Sequence, residues 1–141
     1  ETLFDELMIR FEKEVVEATD TALFIDAKLA ERNTRHSRAG ASRFLVEPNI
    51  KDGKGAMRDL HTLYWIGKYV YQVDEPRQLI GKGLFNEEEF ELFEKRDQFF
   101  WNVRCHLHFL AGRAEDRLSF DRQPEMARRI FINMILTAAL V

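Results

Sequence analysis

A single cysteine, Cys105, and only three prolines and seven glycines occur among the 141 residues. One cysteine excludes an internal disulfide framework and any zinc site built from several cysteines, and it suits a reducing compartment. No apolar run approaches the roughly 18 residues of a membrane span, and the first residues lack the pattern of a signal peptide. We therefore expect a cytoplasmic protein that does not bind a membrane.

A large net charge is also lacking, since 21 Lys and Arg oppose 24 Asp and Glu. The net charge of −3 excludes a polycation that binds nucleic acid through its overall charge, and also a disordered acidic tail. The hydrophobic fraction of 45% is sufficient for one globular domain with its own core. No repeat, low-complexity tract or break in composition marks a second domain, so we predict a single domain over residues 1–141.

Positive charge is concentrated in residues 28–58, which contain eight Lys and Arg but only three acids. The local charge is thus +5, and the rest of the chain carries −8. Composition leaves two interpretations of this basic segment open. It is either a site for phosphate or another anion, or a solvated helix end followed by a solvated loop.

Apolar residues recur at helical spacing along most of the chain. The pattern predicts helices over residues 1–18, 21–32, 56–71 and 87–111, a short helical turn over 76–80, and a last helix from Pro124 onward. Asp20 or Thr21 is the candidate N-cap of the second helix, and Asn86 with Glu89 forms a capping-box pair. Gly112 is a candidate helix stop.

Between residues 33 and 55 the helical pattern lapses, because Pro48 disfavours helix at the residue before it and two glycines follow. The predicted fold is therefore all-α, a bundle of five or six helices interrupted by one long basic loop that contains glycine and proline. A structureless stretch of this length inside a compact domain is often functional.

The end of that loop, residues 51–59, reads Lys-Asp-Gly-Lys-Gly-Ala-Met-Arg-Asp and leads directly into a helix. Glycines let the backbone approach a ligand, and a helix N-terminus is expected to offer unpaired N–H groups. Together with three cations, these features suit an anion. The spacing is not that of a P-loop, which ends in Gly-Lys-Ser/Thr.

Other residue types with chemical potential have simpler interpretations. The spacing of five aromatic residues favours core packing over base stacking: Trp65, Trp101, Phe99, Phe100 and Phe109. We interpret Cys105, in the same aromatic-rich helix, as a small buried hydrophobe. A lone acid in the first turn of a helix, such as Asp59, complements the helix dipole more often than it binds a metal. His106 and His108 face different directions on a helix, so we predict no metal site.

Four stretches carry specific sequence motifs: Val46–Gly55 (Val-Glu-Pro-Asn-Ile-Lys-Asp-Gly-Lys-Gly), Arg58–Leu60, Trp101–Leu110 and Gly112–Asp121. They resemble the bacterial bifunctional uridylyltransferase/uridylyl-removing enzyme that modifies the nitrogen-regulatory PII protein. The resemblance covers most of residues 27–130. It is to the helical segment that in this family follows the nucleotidyltransferase core and precedes a His-Asp metal hydrolase domain.

The chain also departs from this family. The family usually has Gly-Gly-Leu-Arg-Asp where this chain has Gly55-Ala-Met-Arg-Asp59, so less access to the backbone is expected at Ala56. After Ile130 the sequence does not continue as the resemblance leads us to expect. The Gly-Ser-x-x-Arg-Gly-type loop and the paired Mg²⁺-binding aspartates of the transferase do not occur, nor does the His-Asp doublet of the hydrolase. We therefore expect the chain to be inactive alone, with both catalytic domains outside it.

The resemblance implies a helical segment that packs on the transferase core of the same enzyme, completes the UTP site and supports uridylyl transfer to PII. Mg²⁺ and UTP then belong to the complete enzyme, and none is expected for this chain alone. Lys51, Lys54 and Arg58 are the candidates for binding the triphosphate by electrostatic stabilisation and positioning. Candidates for supporting the loop are Glu47, Asn49, Gly53, Gly55 and Asp59.

Alternatives stay open. Arg58 is the strongest candidate, but an ion pair with Glu47 or Asp59 that only fastens the loop is the competing interpretation. The corresponding region of a glutamine-synthetase adenylyltransferase has a similar Lys…Gly-Gly-x-Arg pattern, although the Glu-Pro-Asn-Ile-Lys match favours the uridylyltransferase. A non-catalytic module that binds an acidic partner through the basic segment is a third interpretation. Apolar surface meant for the transferase core is expected to allow self-association.

Overall fold

The computed structural model describes residues 2–40 and 44–139, with side chains up to residue 131. The described residues form six α-helices and one π-helical turn and contain no strand, which confirms the all-α prediction. In chain order these are α1 (Thr2–Phe11), the π-turn (Glu12–Val16), α2 (Thr21–Arg38), α3 (Met57–Tyr71), α4 (Gln78–Gly81), α5 (Glu87–Ala111) and α6 (Gln123–Ala139). None of the described helices has the length and apolarity needed to cross a bilayer.

Local sequence signals set several helix ends, as predicted. Asp20 caps α2, because its carboxylate accepts hydrogen bonds from the amides of Ala22 at 2.7 Å and Leu23 at 3.4 Å. Asn86 and Glu89 form a reciprocal capping box at the start of α5. Gly112 ends α5 in the left-handed conformation, with φ of 65°.

The predicted end of α2 near Arg32 is wrong, since the helix continues to Arg38. Its last turns are held by polar contacts with α3 and not by an apolar face. The Arg35 guanidinium donates to Thr62 Oγ1 at 3.0 Å, and His36 Nε2 lies 2.8 Å from Asp59 Oδ2. The spacing of apolar residues contains no information about polar contacts with another helix, so it predicts the end of α2 too early.

The first helical stretch is also less regular than predicted. α1 ends at Phe11 and the chain continues as the π-turn to Val16, and neither element has a buried residue. Tyr69 of α3 joins this region to the rest, because its hydroxyl donates to the carbonyl of Val16 at 3.3 Å. The Tyr69 ring stacks on Phe24 of α2 with centroids 3.8 Å apart.

The main core lies between the basic loop, α5 and α6. Its buried residues are Ile50, Val103, Leu107 and Met126, with Phe100, Leu110, Leu118 and Ile130 packed around them. The loop therefore contributes a side chain of its own to the core. This contribution fixes the position of the loop relative to α5.

Candidate functional site

The basic loop folds back on itself before α3 begins. The side-chain oxygen of Asn49 accepts hydrogen bonds from the amides of Lys51 at 3.0 Å and Asp52 at 2.6 Å, and its carbonyl accepts from Gly53 at 3.1 Å. A Cβ atom at Gly53 would lie only 2.5 Å from the Asn49 carbonyl oxygen. The turn thus requires glycine for space, and Asn49 organises it.

The N-terminal part of the loop is attached to the segment between α5 and α6. Glu47 binds the Arg117 guanidinium at 2.7 Å and accepts a hydrogen bond from the Phe120 amide at 2.9 Å. The Ile50 amide donates to the carbonyl of Asp116 at 2.7 Å, and Asn49 and Arg117 form an isolated bridge. The loop is therefore paired with a second irregular segment far away in sequence.

Asp59 holds the other end of the loop against α2. Its carboxylate accepts a hydrogen bond from the Gly55 amide at 2.8 Å and lies 2.8 Å from His36 Nε2 and 3.5 Å from Arg35 Nη2. Gly55 has φ of 80°, a conformation that L side chains rarely adopt. The acid in the first turn of α3 thus joins the loop, α2 and α3.

A second carboxylate, Asp116, joins the loop to α5. It lies 2.7 Å from Arg104 Nε, 3.2 Å from His108 Nε2 and 3.7 Å from Lys51 Nζ. Burial raises the pKa of Asp116, but the hydrogen bonds from Arg104 and His108 outweigh burial and hold the pKa below its usual value. Asp116 is therefore charged at neutral pH and binds the base of the loop.

The three predicted phosphate-binding cations occupy different environments. Lys51 is directed to Asp116, and Arg58 forms an ion pair with Asp52 at 3.3 Å. The predicted partners of Arg58, Glu47 and Asp59, are wrong: Glu47 pairs with Arg117, and Asp59 pairs with α2. Lys54 is exposed and makes no ion pair or hydrogen bond with a described residue.

The expectation of unpaired amides at the start of α3 is also wrong. The amide of Met57 donates to the Ile50 carbonyl at 3.1 Å, that of Arg58 to the Lys51 carbonyl at 3.0 Å, and that of Asp59 to the Ala56 carbonyl at 2.9 Å. The folded loop thus occupies donors that a helix end otherwise offers to an anion. Binding of an anion here relies on the side-chain cations.

A cleft of about 890 Å³ lies between α2, α3 and the α1/π-turn region, and Arg58 at the start of α3 is one of its lining residues. One wall is a stripe of α3, formed by Arg58, His61, Thr62, Trp65, Lys68 and Tyr69, and is continued by Gln72 just after the helix. The facing wall is a stripe of α2, formed by Phe24, Lys28, Glu31 and Arg35. Residues of α1 and the π-turn close the third side, among them Met8, Phe11, Val15 and Val16.

Aromatic surface is unevenly distributed along this cleft. Near the loop, Glu31 lies between Lys28 at 3.1 Å and Arg35 at 3.3 Å, and the hydrogen bond from Lys28 lowers the pKa of Glu31. His61 Nε2 lies 3.0 Å from Asp97 Oδ1 of α5, which fixes the ring at the cleft wall. At the far end Phe24 and Tyr69 supply aromatic surface. Lys68 and Asp74 also line this far end, so the two ends differ in aromatic surface and not in the presence of charge.

Two predictions about burial are wrong. Cys105 is exposed. Four of the five aromatic residues predicted to pack in the core are largely exposed: Trp65 at 55%, Trp101 at 43%, Phe99 at 50% and Phe109 at 79%. Helical spacing shows which residues share a face, but it does not show whether this chain contains the surface that covers them.

The described residues contain no group of three or more His, Cys, Asp or Glu side chains arranged to hold a metal ion. Phosphoryl-transfer enzymes hold Mg²⁺ with carboxylates and substrate phosphates. Asp59 and Asp116 are each occupied by cationic side chains. These residues therefore do not form the Mg²⁺ site that the resemblance implies for the complete enzyme.

Comparisons with known proteins agree with the resemblance. The bifunctional uridylyltransferase/uridylyl-removing enzyme of Nitrobacter hamburgensis is 60% identical over 128 residues, which are 91% of this chain and 14% of that enzyme. The enzyme of the same name from Bradyrhizobium diazoefficiens is 58% identical over the same shares. That from Rhodopseudomonas palustris is 58% identical over 130 residues, 92% of this chain and 14% of the enzyme. No solved structure gives a significant match.

The chain thus spans 14% of the length of the curated relatives it matches. The family described as GlnD PII-uridylyltransferase matches residues 23–134, which include the loop, the cleft-forming stripes of α2 and α3, and four residues after Ile130. This match covers most of the sequence. The chain therefore belongs to the GlnD PII-uridylyltransferase family.

Proposed function

We propose that this chain is the helical segment that completes the UTP site of a cytoplasmic PII uridylyltransferase and supports uridylyl transfer to the PII protein. The transferase core of the same enzyme is its first partner. That core supplies the catalytic carboxylates and their Mg²⁺, so the segment is inactive alone. The names of the relatives and the family match support the assignment to this class of enzyme.

The observation that carries the proposal is the fixed frame of the basic loop. Anchors on three sides, at Glu47, Asp59 and Asp116, bind the loop to neighbouring elements. At the exposed tip, Lys54 stands between two glycines without a partner among the described residues. A cation held in place without its own counter-ion is suited to bind a phosphate that arrives from outside.

The ion pairs of the other two cations are weak enough to be exchanged. Arg58 and Asp52 are 45% and 36% exposed, and exposed pairs of this kind contribute about 0–1 kcal/mol. Lys51 lies 3.7 Å from Asp116, which keeps its shorter contact with Arg104 when Lys51 moves. A triphosphate carries several charges. The free energy gained when these cations bind it is therefore larger than the free energy lost when their present ion pairs break.

The test is a calorimetric titration of Mg²⁺-UTP into the full-length enzyme and into its Lys51→Glu, Lys54→Glu and Arg58→Ala variants. Each change is expected to weaken UTP binding by about tenfold or more, because it removes attraction to the triphosphate. Lys82→Glu is the matched control. Lys82 also stands between two glycines, and Gly83 has φ of 76°, but it lies outside the basic loop.

Equal UTP affinity in the loop variants and the control, at equal stability, would contradict the proposal. If the loop variants instead lost binding of PII or another acidic partner while they retained UTP, the interaction-module interpretation would be correct. Uridylyl transfer measured on Arg58→Ala adds a second readout. Unchanged transfer by that variant would show that Arg58 only fastens the loop.

A further inference from the structure

One face of α3 connects the basic loop to the cleft. Arg58, His61, Trp65 and Tyr69 line the cleft in this order, at the three- and four-residue spacing of a single helical face. Arg58 also belongs to the loop through its ion pair with Asp52. A ligand bound by the loop cations therefore has a continuous path along α3 into the cleft.

The contacts between α2 and α3 differ at the two ends of the cleft. The end of α2 meets the start of α3, where Arg35 contacts Asp59 and Thr62. The start of α2 meets the end of α3, where Phe24 stacks on Tyr69. A ligand that matches this cleft is anionic at the loop end and has a flat apolar part towards the other end.

Trp65 is well placed for that flat part. It lines the cleft and yet is 55% exposed, so its indole is available to a further partner. At about 1.5 Å of rise per residue, Trp65 lies roughly 10 Å along α3 from Arg58. A nucleoside triphosphate can bridge such a span with its base at one end and its phosphates at the other.

We infer that the cleft receives the nucleoside of the nucleotide whose phosphates the basic loop binds, and that the base stacks on Trp65. The inference rests on the proposed function and assigns a position to the rest of the substrate. Mostly apolar walls with a few fixed polar groups are typical of small-molecule sites, and base stacking on an aromatic ring is favourable for any base. His61 also lines the cleft, and because its Nε2 contacts Asp97, Nδ1 is the ring nitrogen left to bond the ribose or the base.

The polar groups favour a nucleoside over a wholly apolar occupant. Lys28, Glu31 and His61 lie in the cleft walls, and an apolar chain would cover them without replacing their hydrogen bonds to water. A nucleoside brings hydroxyl and carbonyl groups that restore such bonds.

The test compares two probes on the full-length enzyme, Mg²⁺-UTP and inorganic triphosphate. Trp65→Ala is expected to weaken UTP binding by about tenfold or more, since the base loses its stacking partner, and to leave triphosphate binding unchanged. Trp65→Phe is expected to retain most of the affinity and Trp65→Leu is not, because only Phe preserves a ring. Phe109→Ala, at an exposed aromatic residue outside the cleft, is the control and should not affect either probe.

Failure of this inference is distinguishable from failure of the proposed function. If Lys54→Glu weakens binding of UTP and triphosphate while all Trp65 variants bind UTP normally, the inference is wrong and the proposed function stands. Equal losses of UTP and triphosphate binding in Trp65→Ala would likewise overturn it, because they indicate a structural effect. If Lys54→Glu changes neither probe while Trp65→Ala still weakens UTP, the cleft binds the nucleoside and the loop proposal fails.

Discussion

The basic loop and helix α1 reverse the usual relation between regular structure and firm packing. The loop, which the end of α2 limits to the residues between Arg38 and Met57, has no helix or strand among its described residues. It nevertheless buries Ile50 in the core and is bound to α2, α5 and the segment after α5. α1 is a regular amphipathic helix without one buried residue. Regular hydrogen bonding within an element and anchorage of that element are therefore separate properties.

The difference follows from where each region finds its partners. The loop satisfies its amides with Asn49, Asp59 and neighbouring carbonyls, all within the described chain. The apolar side chains of α1, such as Leu3 and Leu7, stay exposed because nothing in the described chain covers them. A patch of this kind on a segment that spans 14% of its relatives' length is consistent with the proposed contact with the transferase core.

The largest expected difference between the two regions is the effect of removing a leucine side chain. Leu107 is completely buried beside the loop, whereas Leu7 of α1 is 61% exposed. Leu107→Ala should lower the free energy of unfolding by about 2–5 kcal/mol, because it leaves a cavity. Leu7→Ala should change it by about 0.5 kcal/mol or less. Denaturant unfolding of both variants measures the difference, and similar losses would show that α1 is as well packed as the core.

A smaller effect is expected when a methyl group is added to the loop. Gly53→Ala places a Cβ atom against the Asn49 carbonyl and should destabilise the protein by about 1–3 kcal/mol, since backbone must move. Gly81→Ala is the matched control in α4, where a Cβ would meet nothing within 4 Å. Alanine there should be neutral or stabilising, by up to about 1 kcal/mol. Thermal unfolding compares the two, and tolerance of Gly53→Ala would mean that the loop is not a fixed frame.

The parts of the fold that were predictable from the sequence rest on local signals. The capping box of Asn86 and Glu89, the Asp20 cap and the Gly112 stop involve residues close together in the chain, so their pattern specifies the structure. The end of α2 was missed because its last turns depend on Asp59 and Thr62 of another helix.

The candidate site was predictable only in its composition. The sequence identified the cations and glycines of the loop, but the anchor between Glu47 and Arg117 joins residues 70 positions apart. The cleft and the exposure of Trp65 were not predictable, because apolar spacing on a helix is the same whether the face is covered or open.

The measurement that tests the account most directly is residue-resolved amide hydrogen exchange in the full-length enzyme, with and without Mg²⁺-UTP. The structure predicts slow exchange at Ile50, Gly55, Met57 and Arg58 without nucleotide, because their amides are hydrogen-bonded. The Lys54 amide, without an acceptor among the described residues, should exchange fast and become slower when UTP is added. Fast exchange throughout residues 50–58, or a Lys54 amide that does not respond to UTP, would contradict the account of a fixed loop that binds the nucleotide.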